Sequence, residues 1–435
     1  MRFVRDASWS RPDRHTVVAG SPHRLFRVSG AGVGVLDALE SGRDVGSDGG
    51  PASAVARLLD RLLDAGAIHP VPAASDAAFV APERVTIVTP QLGGPVAGDD
   101  RITVDDASDP PLLDATLRLE VNLGPGGARN AGRDAVGTSV VLFLDADVDV
   151  PELSPSHPGH HRWWMVLLSH FDDPLVGLVA PRVIGDDGSS LDLGDRPGRV
   201  RQGTRVSYVP GAAMLVRTAA FDDVGGFDPT LRVGEDVDFV WRLDQAGWRC
   251  RYEPAAAVTH RPRPTSIEQL RQQVKYGSSS GALALRHPGA LTPYRSGIWS
   301  ATVWALVALG RPRTALAVGV GSVAWLAARA DEVARLPLAR IAATGHLRAG
   351  AQLATAIRRA WWPLLVPLLA SRRVRRLLVA AALISPRTVA KDIAFSVGVW
   401  RSALAARTTG PLRPVITHRS TRPPRRRPRS VGDRN

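Results

Sequence analysis

The chain has 435 residues, more than one ordinary domain holds, and its 44% hydrophobic fraction is enough to bury sizeable cores. Cys250 is the only cysteine, which excludes a disulfide framework within the chain and fits a reducing compartment. The net charge of +14 sits at the back: Arg335 to Arg407 carries thirteen basic residues against Asp392 alone, and Pro411 onward carries eight arginines against Asp433, so the front is mildly acidic. A back half of that kind suits an anionic partner.

From Met1 to His15 the chain is polar and interrupted by Pro12, with no apolar run of the secretory kind, so a cytosolic position is expected. His15–Ala19 and Arg24–Val28 read as two strands around the turn Gly20-Ser21-Pro22. Helical stretches follow at Gly32–Glu40 and Val55–Ala65, the second with Val55, Leu58, Leu59, Leu62 and Leu63 on one face, then a short strand at Ala67-Ile68. This outline predicts a small winged-helix-like α+β module over residues 1–72, with Ala73–Ala81 as a linker.

Residues 82–263 alternate apolar strands with helices. Strands are expected at Val85–Thr89, Ile102–Asp105, Leu119–Asn122, Val140–Leu144, Val176–Ala180, Val209–Arg217 and Ala255–His260. That alternation predicts an α/β layer built on a mostly parallel sheet. Residues 264–407 read as helical and basic, and 411–435 as a disordered Arg/Pro tail.

The chemistry-bearing residues gather in the α/β region. Val140–Leu144 runs into Asp145-Ala146-Asp147, and two carboxylates just past a strand end can share a hard cation. Taken alone, the pair also fits an ordinary turn. Upstream, Asn122–Gly132 is a glycine-rich lead into a helix, where Arg129 and Asn130 can hold a phosphate or a base. Downstream, Gly225-Gly226-Phe227-Asp228 precedes Gly234-Glu235-Asp236, whose acids open a helix as dipole partners or as catalytic carboxylates. His260 closes the last strand and is a candidate third ligand beside Asp145 and Asp147.

Together these motifs resemble the inverting family 2 glycosyltransferases of GT-A fold. The resemblance covers Val104-Asp105-Asp106-Ala107-Ser108, Ala128-Arg129-Asn130-Ala131-Gly132, Asp145-Ala146-Asp147, the Gly-Gly-Phe-Asp turn and the Gly-Glu-Asp helix start, in family order. It implies that Asp105 and Asp106 lie near the uracil and ribose of a UDP-sugar donor, and that Arg129, Asn130 and Asp145 help to hold the nucleotide. It implies Mn²⁺ or Mg²⁺ on Asp145, Asp147 and His260, with Asp236, supported by Glu235, as general base. One departure stands out: only Pro90–Asp100 separates the first two strands, where the family carries a helix and where parallel neighbours normally need a longer crossover.

The N-terminal stretch Gly20–Ser29 with Gly32–Leu39 resembles the front module of mycofactocin-system glycosyltransferases, which is similar to peptide-recognition domains. This implies glucose transfer from UDP-glucose to the peptide-derived acceptor premycofactocin, building β-1,4-linked units. Two alternatives remain open: rhamnosyl or galactofuranosyl transfer in cell-surface polysaccharide, and a non-catalytic membrane-bound sugar-nucleotide-binding protein. In the back half, Trp299–Leu309, Thr314–Ala328 and Trp361–Leu369 beside Arg372, Arg373, Arg375 and Arg376 read either as core helices or as an interfacial element. The expectation is peripheral or shallow contact with an anionic membrane at its cytoplasmic face. No specific nucleic-acid partner is expected, because no base-reading motif accompanies the arginines.

Overall fold

The computed structural model describes residues 2–45, 53–71, 84–96, 98, 100–150, 153–154, 156–185, 191–261, 265–329 and 332–417. These divide into two units, one within residues 1–262 and one within 263–425. The linker at Ala73–Ala81 and the tail from 418 lie outside the described residues.

The first unit opens with strands β1 (Phe3–Arg5), β2 (Ser10–Asp13), β3 (Thr16–Ala19) and β4 (Arg24–Arg27). Helices α1 (Gly30–Ser41) and α2 (Ala54–Asp64) and strand β5 (Ile68–Pro70) follow; β3, β4, both helices and β5 lie close to the sequence reading, which placed no strand at β1 or β2. β2, β3 and β4 form an antiparallel meander, and β1 pairs with β5. The spacing of Leu58, Leu59, Leu62 and Leu63 puts them on one stripe of α2, which buries against Phe3, Val17, Phe26, Leu36 and Ile68. Ser53 accepts the Ala56 amide and so caps the helix start.

The α/β region supplies β6 (Val85–Gln91), β7 (Ile102–Asp105), β8 (Leu117–Arg118), α3 (Gly124–Asp134), β9 (Val140–Leu144), β10 (Val148–Asp149) and α4 (His160–Leu168). It continues through β11 (Val176–Ile184), β12 (Gly198–Val200), β13 (Ala213–Arg217), α5 (Thr218–Asp223), α6 (Glu235–Ala246) and β14 (Arg249–His260). Among the described residues they build a nine-stranded sheet in the order β10-β14-β11-β13-β9-β6-β7-β8, with β12 also on β14. β9, β6, β7 and β8 run parallel, as do β11 and β14; β13 is inserted antiparallel between β9 and β11. β9 shows why the sheet is buried on both faces. Val140, Leu142 and Leu144 join the core under α4, while Val141 and Phe143 join the opposite core with Phe227 and Phe239.

Five strands differ from the sequence reading: β6 and β11 run on to Gln91 and Ile184, past the Thr89 and Ala180 read for them, and three others are shifted. The strand read at Leu119–Asn122 lies at Leu117–Arg118, because the chain from Asn122 onward turns to start α3. The strand read from Val209 begins at Ala213, because Gly211 spends its amide and carbonyl on side chains. The last strand starts earlier, at Arg249. The short β6–β7 connection closes without a helix among its described residues: Gly93, Gly94 and Gly98 take positive φ values that only glycine adopts freely. Gln91 Nε2 donates to the carbonyls of Gly93 and Pro95, and the Gly93 amide donates to Ser108 Oγ, so side chains do the bracing.

The second unit consists of α7 (Ser266–Gly277), α8 (Ser280–Arg286), β15 (Arg295–Gly297), α9 (Ile298–Ala308), α10 (Pro312–Ala328) and α11 (Glu332–Ala356). After these come α12 (Trp362–Leu365), α13 (Arg372–Leu383), α14 (Val389–Ala405) and β16 (Val415–Thr417). β16 pairs with β15, so residues 411–417, read from sequence as part of a disordered tail, are ordered up to Thr417. Thr265 and Glu268 form a reciprocal capping box on α7. Arg358 and Arg359 both grip the buried Asp392 at 2.7 Å, fixing α14 to the end of α11. Among the described residues no helix is long and apolar enough to cross a membrane.

Candidate active site

The carboxyl end of β9 delivers the acidic motif. Asp145 leaves the strand with its amide bonded to Ala212 O at 2.9 Å, which ties the motif to the entry of β13. The chain then reverses through Asp147 into β10, whose Val148 pairs with His260 on β14. That register brings His260 Nε2 to 3.3 Å from Asp147 Oδ2. The hydrogen bond that His260 donates to Asp147, working against desolvation, holds the imidazole pKa above its ordinary value.

Arg129 sits on α3 directly beneath this rim. α3 can lie close because Gly132 faces Val88 and Val104, where any Cβ would collide. The Arg129 side chain is 2% exposed, too little for it to face a ligand as placed. Its guanidinium donates to Asp145 Oδ1 at 2.6 Å, to Gly211 O at 3.1 Å and to Glu235 Oε1 at 3.2 Å, and lies over the Phe227 ring at 5.3 Å. Burial opposes its charge, and the carboxylates of Asp145 and Glu235 more than restore it. Asp145 is pushed above the usual carboxylate range by burial, with Arg129 opposing the shift.

Asp236 opens α6 together with Glu235. Its Oδ2 accepts the Gly211 amide at 2.9 Å and its Oδ1 accepts the Val237 amide at 2.8 Å. Burial and the neighbouring Glu235 charge push its pKa up to about 7, against those two amides and Arg129. A carboxylate poised there can accept a proton near neutral pH.

The remaining sequence candidates are committed to the scaffold. Asn130 holds Phe227 at two points, accepting its amide at 2.9 Å and donating to its carbonyl at 2.8 Å. The Gly-Gly-Phe-Asp turn therefore serves to seat Phe227 among Phe143, Phe221 and Phe239. Asp105 is fully buried and accepts the amides of Ser108 and Leu112 and the Arg118 guanidinium. Burial alone would raise its pKa, but these bonds hold it at about 2. Asp106 accepts the amides of Leu123 and Gly124 at 2.6 and 2.8 Å, capping the start of α3. Asp105 and Asp106 thus shape the wall beside β7, and neither offers free oxygens as placed.

One functional residue escaped sequence reading. Gly211 gives its amide to Asp236 and its carbonyl to Arg129, and a Cβ there would approach the Arg129 nitrogens to 3.0 Å. The only signal was a Pro-Gly pair ahead of an apolar strand, which ordinarily reads as a turn.

Among the described residues no three or more His, Cys, Asp or Glu side chains stand close enough together to enclose a metal. The donor types still fit a divalent cation of Mn²⁺ or Mg²⁺ character. Asp147 is exposed, His260 adjoins it, and Asp145 keeps one oxygen outside its bond to Arg129.

Comparison with known proteins adds independent information. Residues 182–372 match the model of glycosyl transferase family group 2. The chain is 34% identical to the pre-mycofactocin glycosyltransferase of Mycobacterium tuberculosis, over 93% of this chain and 95% of that protein. A shorter stretch, 13% of this chain and 18% of the relative, is 46% identical to an N-acetylglucosaminyl-diphospho-decaprenol L-rhamnosyltransferase of the same organism. Among solved structures, a mannosyltransferase from Pyrobaculum calidifontis in complex with GDP-Man and Mn²⁺ aligns at a TM-score of 0.38. Its identity is 18%, over 79% of this chain and 93% of its own.

Proposed function

This chain belongs to the pre-mycofactocin glycosyltransferases, within glycosyltransferase family 2, and on that premise we propose that it transfers glucose from UDP-glucose to premycofactocin with inversion, building β-1,4-linked units. The observation that carries the reading is the spacing of opposed roles around one peptide. Asp145, on the donor side, is reached through Arg129 and the Gly211 carbonyl; Asp236, on the acceptor side, is reached through the Gly211 amide.

Asp236 takes the proton of the attacking acceptor hydroxyl. The acceptor oxygen bonds to the anomeric carbon from the face opposite the diphosphate, whose bond to that carbon breaks as UDP departs. A single displacement turns an α-linked donor into a β-glycoside and needs no covalent enzyme intermediate. Glu235 keeps its carboxylate on Arg129 and raises the basicity of its neighbour. Asp145, Asp147 and His260 would hold Mn²⁺ or Mg²⁺, whose charge offsets that of the leaving diphosphate. The N-terminal module, with its β2-β3-β4 meander, is the natural element to engage a peptide-derived acceptor at a strand edge.

The test is direct. Purified full-length protein is incubated with premycofactocin, Mn²⁺ and UDP-glucose, with dTDP-rhamnose and UDP-galactofuranose as parallel donors. Gain of hexose only from UDP-glucose, with products cleaved by a β-glucosidase, is the expected result. Exclusive use of another donor overturns the glucose assignment, and α-configured product overturns inversion.

A further inference from the structure

β14 opens Arg249-Cys250-Arg251, so its two arginines leave the same face of the strand. Arg199 on β12 stands opposite Arg251 in the antiparallel register, and Val179 on β11 flanks Arg251 on the other side. Here the N-terminal module meets the sheet. Arg249 reaches Asp60 and Asp64 of α2, Arg201 Nη1 donates to the Asp64 carbonyl at 3.4 Å, and the Arg205 amide donates to Ser21 Oγ at 2.7 Å. His69 of β5 is buried at the same junction and bonded to Asp6 at 3.1 Å. Burial lowers its imidazole pKa, Asp6 opposes the shift, and the charges of Arg251 and Arg205 lower it further, which places both arginines near the ring.

A guanidinium carries donors alone, so each one buried here needs acceptors. Arg249 has Asp60, Asp64 and Asp173. Arg199 donates to the Cys250 and Trp248 carbonyls and to Asp244, which Arg201 shares. Arg251 differs. It is only 3% exposed, and its Nε and Nη1 are buried with no hydrogen-bond partner among the described residues. Arg199 Nε, across the β12–β14 pair, is buried in the same condition. The acids whose charge Arg251 feels, Asp173 and Asp64, are bonded to Arg249 instead. Burial, with the charges of Arg199 and Arg249, pulls the Arg251 pKa down to about 10, so the side chain stays charged at neutral pH.

An unpaired buried charge is among the costliest arrangements a fold can hold. Counter-charge that the chain does not supply has to come from a ligand, and the surroundings restrict its kind. Three neighbouring arginines repel any metal ion. A bulky organic acid does not reach a side chain so enclosed. A small inorganic anion satisfies both conditions and takes charge-assisted bonds from guanidinium donors. The place is remote from the acidic rim: Arg251 precedes His260 by nine residues of β14, roughly 30 Å of extended chain.

We infer that Arg251, with Arg199 and Arg249 beside it, holds a small inorganic anion, chloride or phosphate, at the junction of the N-terminal module with the sheet, and that this anion helps to seat the module.

Full-length protein is dialysed into sodium gluconate, an anion too large to enter, and chloride or phosphate is then substituted at fixed ionic strength. The thermal midpoint, followed by circular dichroism, should rise by about 5 °C and saturate, and the anion effective at the lower concentration is the occupant. Amide exchange in β5 should slow about fivefold in the same titration while that of β9 stays unchanged. Arg251→Met should lose both responses, whereas Arg205→Gln, at an exposed arginine of the same junction, should keep them. Crystals of the wild type soaked in bromide or in arsenate, heavy stand-ins for chloride and phosphate, give a reading independent of any variant: one of them should show an anomalous peak within hydrogen-bond reach of Arg251. A midpoint that rises equally in wild type and Arg251→Met is a general salt effect and overturns the site. So does the lack of a peak in both soaks. A peak with no rise in midpoint marks binding at crystal concentration only and overturns the role in seating the module.

Discussion

Arg129 and Asp236 are joined through a single glycine: the Gly211 carbonyl accepts Arg129 Nη2 at 3.1 Å, and its amide donates to Asp236 Oδ2 at 2.9 Å. Arg129 also holds Asp145 and Glu235, so one buried guanidinium fixes the strand end that carries the donor-side acids and the helix start that carries the base.

Removing that guanidinium should be costly. Arg129→Met leaves Asp145 and Glu235 without their buried counter-charge, a loss of about 3–5 kcal/mol for a broken buried pair. Urea unfolding followed by circular dichroism measures it. Arg129→Lys keeps the charge but not the fork that reaches three acceptors, and should recover only part of the stability. An unchanged midpoint in both variants would show that the contacts carry no energy.

Asp236→Asn should lower kcat by about a hundred- to ten-thousandfold, the usual worth of a general base. Because the base works deprotonated and its pKa is raised to about 7, wild-type kcat/KM for acceptor should climb with pH through that value and then level. The residual rate of the Asn variant should lack this limb. A wild-type profile flat from pH 5 to pH 9 would remove Asp236 from the role.

Opposite pH signatures in stability are expected for two acids. Asp236 binds its proton more tightly folded than unfolded, so it subtracts stability as pH rises from about 4 to about 7, and Asp236→Asn should flatten that decline. Asp105 is held at about 2, so its contribution is full above the ordinary carboxylate value and fades as pH falls toward 2. Asp105→Asn should therefore destabilise at pH 7 and converge on wild type in acid. Urea midpoints taken across the pH range read both.

Mn²⁺ titration by electron paramagnetic resonance tests the donor-side acids without turnover. Asp147→Asn and His260→Ala should each weaken binding by about tenfold or more, since even partners behind a metal ligand cost that much. Binding should also tighten as pH rises through the histidine range, because the cation must displace the imidazole proton that Asp147 favours. Affinities equal to wild type in both variants would remove these residues as ligands.

The N-terminal module is pinned to the sheet by Arg249, which reaches Asp60 and Asp64 of α2 at 3.0 Å and Asp173 at 2.8 Å. Arg249→Gln should speed amide exchange in α2 by about tenfold while leaving β9 protected. The acids are partly exposed, so the effect is local; uniform exchange across both would mean that the contact supports the whole unit instead.

Sequence alone located the strand that runs into Asp145, the helix that starts at Glu235 and the strand that ends in His260, because each is a local pattern. An apolar run stops at an acid, a glycine precedes a charged first turn, and a buried-type strand closes on a polar residue. It also identified the order of motifs, and with it the family. It misplaced the strand at Leu117–Arg118 by two residues, since a two-residue pairing leaves almost no periodicity to read.

What sequence could not decide is what each polar side chain does. Arg129 and Asn130 read as ligands because their types suit phosphates and bases, yet the fold buries Arg129 against Glu235 and Asp145 and commits the half-buried Asn130 to the backbone of Phe227. Those partners stand up to 106 residues away along the chain, and only packing brings them together. The same holds for His260 and Asp147, whose meeting follows from the β10–β14 register. Residue type sets which bonds a side chain can make; burial, a property of the assembled chain, selects which of them it must make.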